Sequence, residues 1–324
     1  MKYNYFENIE VSSSIDDAIN KGITEAVSKK RRKRVKNIAI TCSLTIIIIV
    51  STVFYNDKVL ADVKEAFWSI ASYFGLDNDL GNYKTVINKP ITDNGYTIKL
   101  NEVVLDKKEL IISSTVKSET GPFNGYPEAS KNIYINGKKI MANSNGVSES
   151  GNSYTQNYID TYFLDEELSG EVNIKVEYLS INLMDDTGAE SIKGSWVFDF
   201  KTDTDSLANN TMVKKLDKSF KFENGQSIKL KEYISNSLGS KIEFEQGENG
   251  TDYGLKLVGS DNLGNPIEFY NSYSSGSYGL FKLDNAVGNI KKEATQLKLC
   301  LYILDSDSVD KWEKTGSEFV VDIK

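Results

Sequence analysis

The sequence has no histidine, and only two cysteines and four prolines among 324 residues. Without histidine there is no Ser–His–Asp or Cys–His catalysis, no imidazole acid–base chemistry and no His-containing metal site. Cys42 lies inside an apolar run and Cys300 inside "LKLCLYIL". A disulfide framework is therefore excluded, and Cys300 reads as a small buried residue on a strand. No P-loop and no nucleophile elbow are present. The acidic stretches "LDSDSVD", with Asp305, Asp307 and Asp310, and "KTDTDS", with Asp203 and Asp205, lack the Gly and Glu that a calcium loop needs at its sixth and twelfth places. They read as solvated loop ends. No catalytic residue, cofactor site or metal site is expected, and the chain does not read as an enzyme.

Charge is present but unevenly placed. Residues 1–36 hold nine Lys/Arg against five Asp/Glu, a balance of +4, so the remainder of a chain of net charge −8 carries −12. An acidic bulk repels phosphates, which argues against direct nucleic-acid binding. Asn37 to Tyr55 is nineteen residues without a charge, rich in isoleucine. As a helix it would be about 28 Å long, the thickness of the hydrocarbon core of a bilayer. Lys29, Lys30, Arg31, Arg32, Lys33, Arg34 and Lys36 all precede it, and only Lys58 closely follows. Basic flanks stay cytoplasmic, so the N-terminus is expected inside and the bulk outside a cell membrane. A buried core helix and a cleaved signal peptide are the alternatives. The first lacks a polar face to set against solvent, and the second would need an unusually long leader segment.

Within the short tail, Ser14 with Asp16 and Asp17 resembles a helix start. Ile15, Ile19, Ile23 and Val27 then recur every four residues and form one apolar stripe. So short a helix is marginal alone, and its stripe calls for a groove on a protein partner or for the membrane surface. Past the apolar run, Val59, Val63, Phe67, Ile70 and Phe74 share a helical face. They predict a juxtamembrane helix packed on the domain that follows.

From about Tyr83 the period becomes two. "ELIISSTVK" places Leu110, Ile112, Ser114 and Val116 on one face; "EVNIKVEY" alternates Val172, Ile174, Val176 and Tyr178; "SWVFDF" alternates Trp196, Phe198 and Phe200. Asn136-Gly137 is a type I′ hairpin signal. After polar "KTDTDSLANN" the alternation resumes in "SIKLKEY", "SKIEFEQ", "YGLKLVGSDNLGNPIEF" and "QLKLCLYIL". The expected organisation is a cytosolic tail (1–36), a transmembrane helix (37–55), a helical stalk (56–82), a first outer domain (83–201), a linker (202–215) and a second outer domain (216–324). The fold class is mainly β, a single transmembrane helix followed by two immunoglobulin-like antiparallel β-sandwich domains.

Residues 88–119, with Thr92-Asp93-Asn94-Gly95, alternating Ile98 and Leu100, Asn101-Glu102-Val103 and then Asp106, resemble a membrane-anchored ectodomain family of Gram-positive bacteria whose biochemical function is unassigned. "FENGQSIKLKEY" and "VGSDNLGNPIEF" resemble its companion C-terminal β domain, and "IDDAINKGITEA" its cytosolic tail. Such proteins are encoded beside extracytoplasmic-function sigma factors and are viewed as candidate anti-sigma factors. The resemblance implies that the Ile15–Val27 stripe holds a sigma factor at the membrane while the outer domains sense an envelope signal. The tail carries none of the His and Cys ligands of a zinc-binding anti-sigma domain. A cell-surface binding or envelope-structural protein with a simple N-terminal anchor is the alternative, and an exported hydrolase a distant third.

Overall fold

The structure is a computed structural model and describes residues 69–76, 80–186, 188–305 and 311–324. All of these fall in one compact unit, Tyr55–Lys324. A one-turn helix α1 (Ile70–Tyr73) comes first, capped by the Ser69 hydroxyl, which accepts from the Ser72 N–H at 3.0 Å. A 3-10 turn at Gly81–Tyr83 leads into the first β domain.

That domain contains β1 (Thr85–Asp93), β2 (Tyr96–Leu105), β3 (Glu109–Ser118), β4 (Tyr126–Ile135), the two-residue β5 (Lys138–Lys139), β6 (Asn143–Asn152), β7 (Thr155–Phe163), β8 (Glu171–Asp185) and β9 (Gly188–Asp203). One sheet has the order β1-β2-β3-β7-β6 and the other β5-β4-β8-β9, with every pairing antiparallel. Local chemistry fixes the hairpins. Asn94 and Gly95 between β1 and β2, and Asn136 and Gly137 between β4 and β5, all have positive φ. That is the type I′ turn whose twist matches the strands it joins.

The sheets face one another across Leu100, Val103, Leu110 and Ile112 on one side and Ile174, Val176, Tyr178 and Phe198 on the other. Trp196 lies fully buried between them, and its indole N–H donates to the Tyr96 carbonyl at 3.1 Å, so the large apolar ring leaves no donor unpaired. The expectation of a sandwich carries over to these layers. It does not carry over to strand order: tight hairpins keep β1, β2 and β3 as neighbours in one sheet, whereas an immunoglobulin sandwich sends its third strand to the opposite sheet.

The outer face of the first sheet is also covered. Val104, Ile111 and Ile159 pack against Ile70 and Ala71 of α1, Leu80, and Leu207 of a second one-turn helix, α2 (Asp205–Ala208). β3 is therefore buried along nearly its whole length, not half-buried as its alternation suggests.

The second domain is one antiparallel ladder of β10 (Met212–Lys221), β11 (Ser227–Asn236), β12 (Gly239–Gln246), β13 (Tyr253–Asp261), β14 (Pro266–Ser275), β15 (Tyr278–Leu283), β16 (Gln296–Asp305) and β17 (Glu313–Asp322), in the order β10-β11-β12-β15-β14-β13-β16-β17. Every strand sends apolar side chains into a single core, so the ladder curls over itself. Its first and last strands meet where Phe220 and Phe319 pack edge to face at 5.8 Å. Gly279 is required where β15 crosses Phe244, because a Cβ there would overlap the ring. Cys300 is buried on β16, and the Lys314 ammonium of neighbouring β17 is held above its ordinary pKa by contact with it.

Candidate functional site

The polar chemistry of the described residues concentrates where the two β domains meet. The β2–β3 hairpin is closed by Asp106 and Glu109, whose main chains bond each other at 2.8 Å and 3.4 Å. Both carboxylates are buried and point into the second domain. There Lys241 and Lys282 are directly opposed across the β12–β15 ladder, an arrangement that repels unless an anion lies between. Lys241 Nζ lies 2.9 Å from Asp106 Oδ2 and 3.2 Å from Glu109 Oε2, and Lys282 Nζ lies 2.9 Å from Glu109 Oε1. Burial by itself would raise the Glu109 pKa. The two ammonium charges and their hydrogen bonds outweigh burial and hold it at about 2. Burial would lower Lys241, and the charges of Glu109 and Asp106 override that and raise it.

The same seam fixes the incoming chain. Buried Glu102 accepts the Ile70 N–H at 2.7 Å on one oxygen and meets Lys84 Nζ at 2.8 Å on the other. An acceptor at the first turn of α1 suits its unpaired N–H groups. From the second domain, the Asn285 amide donates to the Phe74 carbonyl, and Lys282 Nζ sits 5.4 Å from the centre of the Phe74 ring. Lys282 is also 5.7 Å from the Phe163 ring, which stacks on Tyr273 at 4.0 Å. Tyr273 borders a cleft of about 380 Å³ formed by Asn143–Asn145 at the start of β6 and Asn271–Ser275 at the end of β14. The Asn143 amide donates to the Tyr273 hydroxyl at 2.8 Å, and the Asn145 amide to the Ser272 carbonyl at 2.7 Å. A separate ion pair, Lys131–Asp160 at 2.6 Å, joins the two sheets inside the first domain.

Ile15, Ile19, Ile23, Val27, the seven basic residues from Lys29 to Lys36 and the apolar run 37–55 lie outside the described residues, as do Val59, Val63 and Phe67. Among the described residues no helix is long and apolar enough to cross a membrane, and no group of three Cys, Asp or Glu side chains is placed to hold a metal ion. Asp203 and Asp205 serve turns: Asp203 accepts the Asp205 N–H at 2.6 Å, and Asp205 the Gly170 N–H at 3.0 Å. The seam and cleft residues carry no local signature of their role. Glu102 and Asp106 stand in the stretch that carries the family resemblance, yet only the fold assigns them partners.

Residues 30–118 match a family model described as a domain of unknown function, DUF4179. The match runs from the basic cluster to the end of β3 and so includes Glu102, Asp106 and Glu109. No curated protein matches. Among solved structures, one described as the conserved domain protein from Bacillus anthracis shares 16% identity over 80% of this chain and 99% of that one, with a TM-score of 0.58. That likeness is one of fold. A structure of TarS from S. aureus overlaps 64% of this chain and 42% of that one at 9% identity, and its TM-score of 0.17 carries no argument.

Proposed function

We propose that the chain is a non-enzymatic, single-pass membrane regulator with its tail in the cytosol and its β domains outside the cell. The charge-free run from Asn37 to Tyr55 behind seven basic residues carries this reading, since no other use of that pattern fits its length and flanks so well. The tail binds a sigma factor through Ile15, Ile19, Ile23 and Val27, and the outer domains receive an envelope signal. The hold on α1 supports such a path. The stalk enters the β unit at a point bonded to both domains, so a change at their seam reaches the chain that leads to the membrane.

The test is a reporter for the sigma factor's regulon in cells carrying the Ile19→Asp, Ile23→Asp double variant. Two carboxylates on the stripe remove its apolar contact, and reporter output is expected to rise at least fivefold, with capture of the sigma factor by the tail lost. Unchanged output in this variant and in a deletion of residues 1–28 would favour a surface-displayed binding protein with a plain anchor.

A further inference from the structure

In the antiparallel ladder of the second domain, the starts of β10, β12, β14 and β16 and the ends of β11, β13, β15 and β17 lie at one end. Because the ladder curls over itself, these ends form a mouth, and a pocket of about 340 Å³ occupies it. Barrel mouths are places where small molecules settle, and this volume lies at the low end of the range for such sites. Its floor is Met212, Tyr233, Leu283, Ile290, Ala294 and Ile323, all of which belong to or pack on the second core. The hydroxyls of Tyr233, Ser240 and Ser235 bond one another there at 2.8 Å and 3.2 Å. With its hydroxyls already paired, the floor offers apolar contact.

The rim has the opposite character. Lys291, Lys292 and Lys324 line it, all three exposed, and no carboxylate side chain does. Lys291 and Lys292 meet no carboxylate among the described residues. Lys324 Nζ donates to the Lys292 carbonyl at 2.9 Å, which uses one of its three N–H groups. Three ammonium groups around one opening stand out on a chain that carries −12 beyond residue 36. They are also braced. The connection 284–295 between β15 and β16 crosses the mouth, where buried Asp261 accepts the Lys291 N–H at 3.4 Å and Asn262 accepts the Thr295 N–H at 2.8 Å.

The two zones together select a ligand. The ammonium groups repel a metal cation. A bare inorganic anion would use the rim alone, where exposed charges are screened by salt and contribute little. A neutral apolar molecule would fill the floor and leave the rim unused. An anionic head on a short apolar body uses both.

We propose that the mouth of the second domain binds a small anionic amphiphile, with its carboxylate or phosphate head at Lys291, Lys292 and Lys324 and its alkyl body on Ile290 and Ile323. Gly75 and Leu76 form part of the wall, just past α1, so an occupied pocket touches the chain that enters there. This deepens the reading that the outer domains receive an envelope signal by naming a class of signal, and it rests on that reading for its biological use.

The full-length chain in phosphatidylcholine nanodiscs is titrated with octyl phosphate by isothermal titration calorimetry, with empty discs as the blank. Saturable binding is expected. Inorganic phosphate, which lacks the tail, and octanol, which lacks the charge, should each bind at least tenfold more weakly. Lys291→Gln, Lys292→Gln alters two exposed side chains and should keep the parent's thermal unfolding while losing at least tenfold in affinity for octyl phosphate. Lys291→Arg, Lys292→Arg should retain it. Absence of saturable binding overturns the proposal. So does equal affinity for inorganic phosphate, which marks an ion site only, or for octanol, which marks an apolar site only. Full affinity in Lys291→Gln, Lys292→Gln overturns it by placing the site elsewhere. Discs containing phosphatidylglycerol separate two sources of the same chemistry: competition assigns the pocket to a membrane lipid and its absence to a diffusible amphiphile, and either result upholds the site. The Ile19→Asp, Ile23→Asp protein should bind octyl phosphate as the parent does, which separates a failure at this pocket from a failure of the tail.

Discussion

Glu109 decides whether two lysines can stand side by side in a nearly dry seam. Removing one partner of a buried ion cluster costs about 3–5 kcal/mol, because the remaining charges stay buried without compensation. Glu109→Gln is expected to lose stability in that range at pH 7 by chemical denaturation. The pH dependence has a definite sign. A carboxyl held at about 2 in the folded chain and near 4.3 when unfolded contributes fully above the unfolded value, and its contribution disappears as pH falls toward 2. The parent should therefore weaken between about pH 4.5 and 2 more steeply than Glu109→Gln, and equal slopes would show that the residue does not act this way. Residue type alone did not announce this role. Glu109 opens an apolar strand, and nothing local reveals that a lysine pair more than a hundred positions later will cover it. Cys300 was readable as a core residue, while the Lys314 contact comes from a neighbouring strand and was not.

The elements were legible where side-chain alternation and turn chemistry agree. β8 and β9 announce themselves through Val172, Ile174, Val176, Trp196 and Phe198, and the β4–β5 hairpin through Asn136-Gly137. β6 was not legible, because its Asn, Ser and Gly residues have low strand propensity and only pairing with β7 makes a strand of them. The double burial of β3 was hidden too, since it depends on α1 and α2 arriving over the outer face. Of the helical face expected from Val59 to Phe74, the described end is a single turn that begins at Ile70 behind an extended Ser69, and Ile70 is fully buried. Ile70→Ala is expected to cost about 2–5 kcal/mol through lost burial and the cavity left behind. Hydrogen exchange should locate the damage: amides of β2 and β3 near Val104 and Ile111 speed up, and those of the second domain stay as in the parent.

Across the molecule, the seam joins domains that otherwise own separate apolar cores. Their ionic coupling passes through Asp106, Glu109, Lys241 and Lys282, beside the Phe163–Tyr273 stack and the Asn143 and Asn145 hydrogen bonds, and a cooperative unit is expected to unfold in one calorimetric transition. In Asp106→Asn, Glu109→Gln the two domains should melt separately; a single transition of parental shape would place the coupling elsewhere. Lys282 sits where three claims on one nitrogen meet: the Glu109 carboxylate, the Phe74 ring at the chain's entry and the Phe163 ring behind the cleft. None of the three can move away without leaving that ammonium short of a companion. A pull on the chain that enters at α1 and a wedge driven in at the cleft would both register as misfit at the same atom.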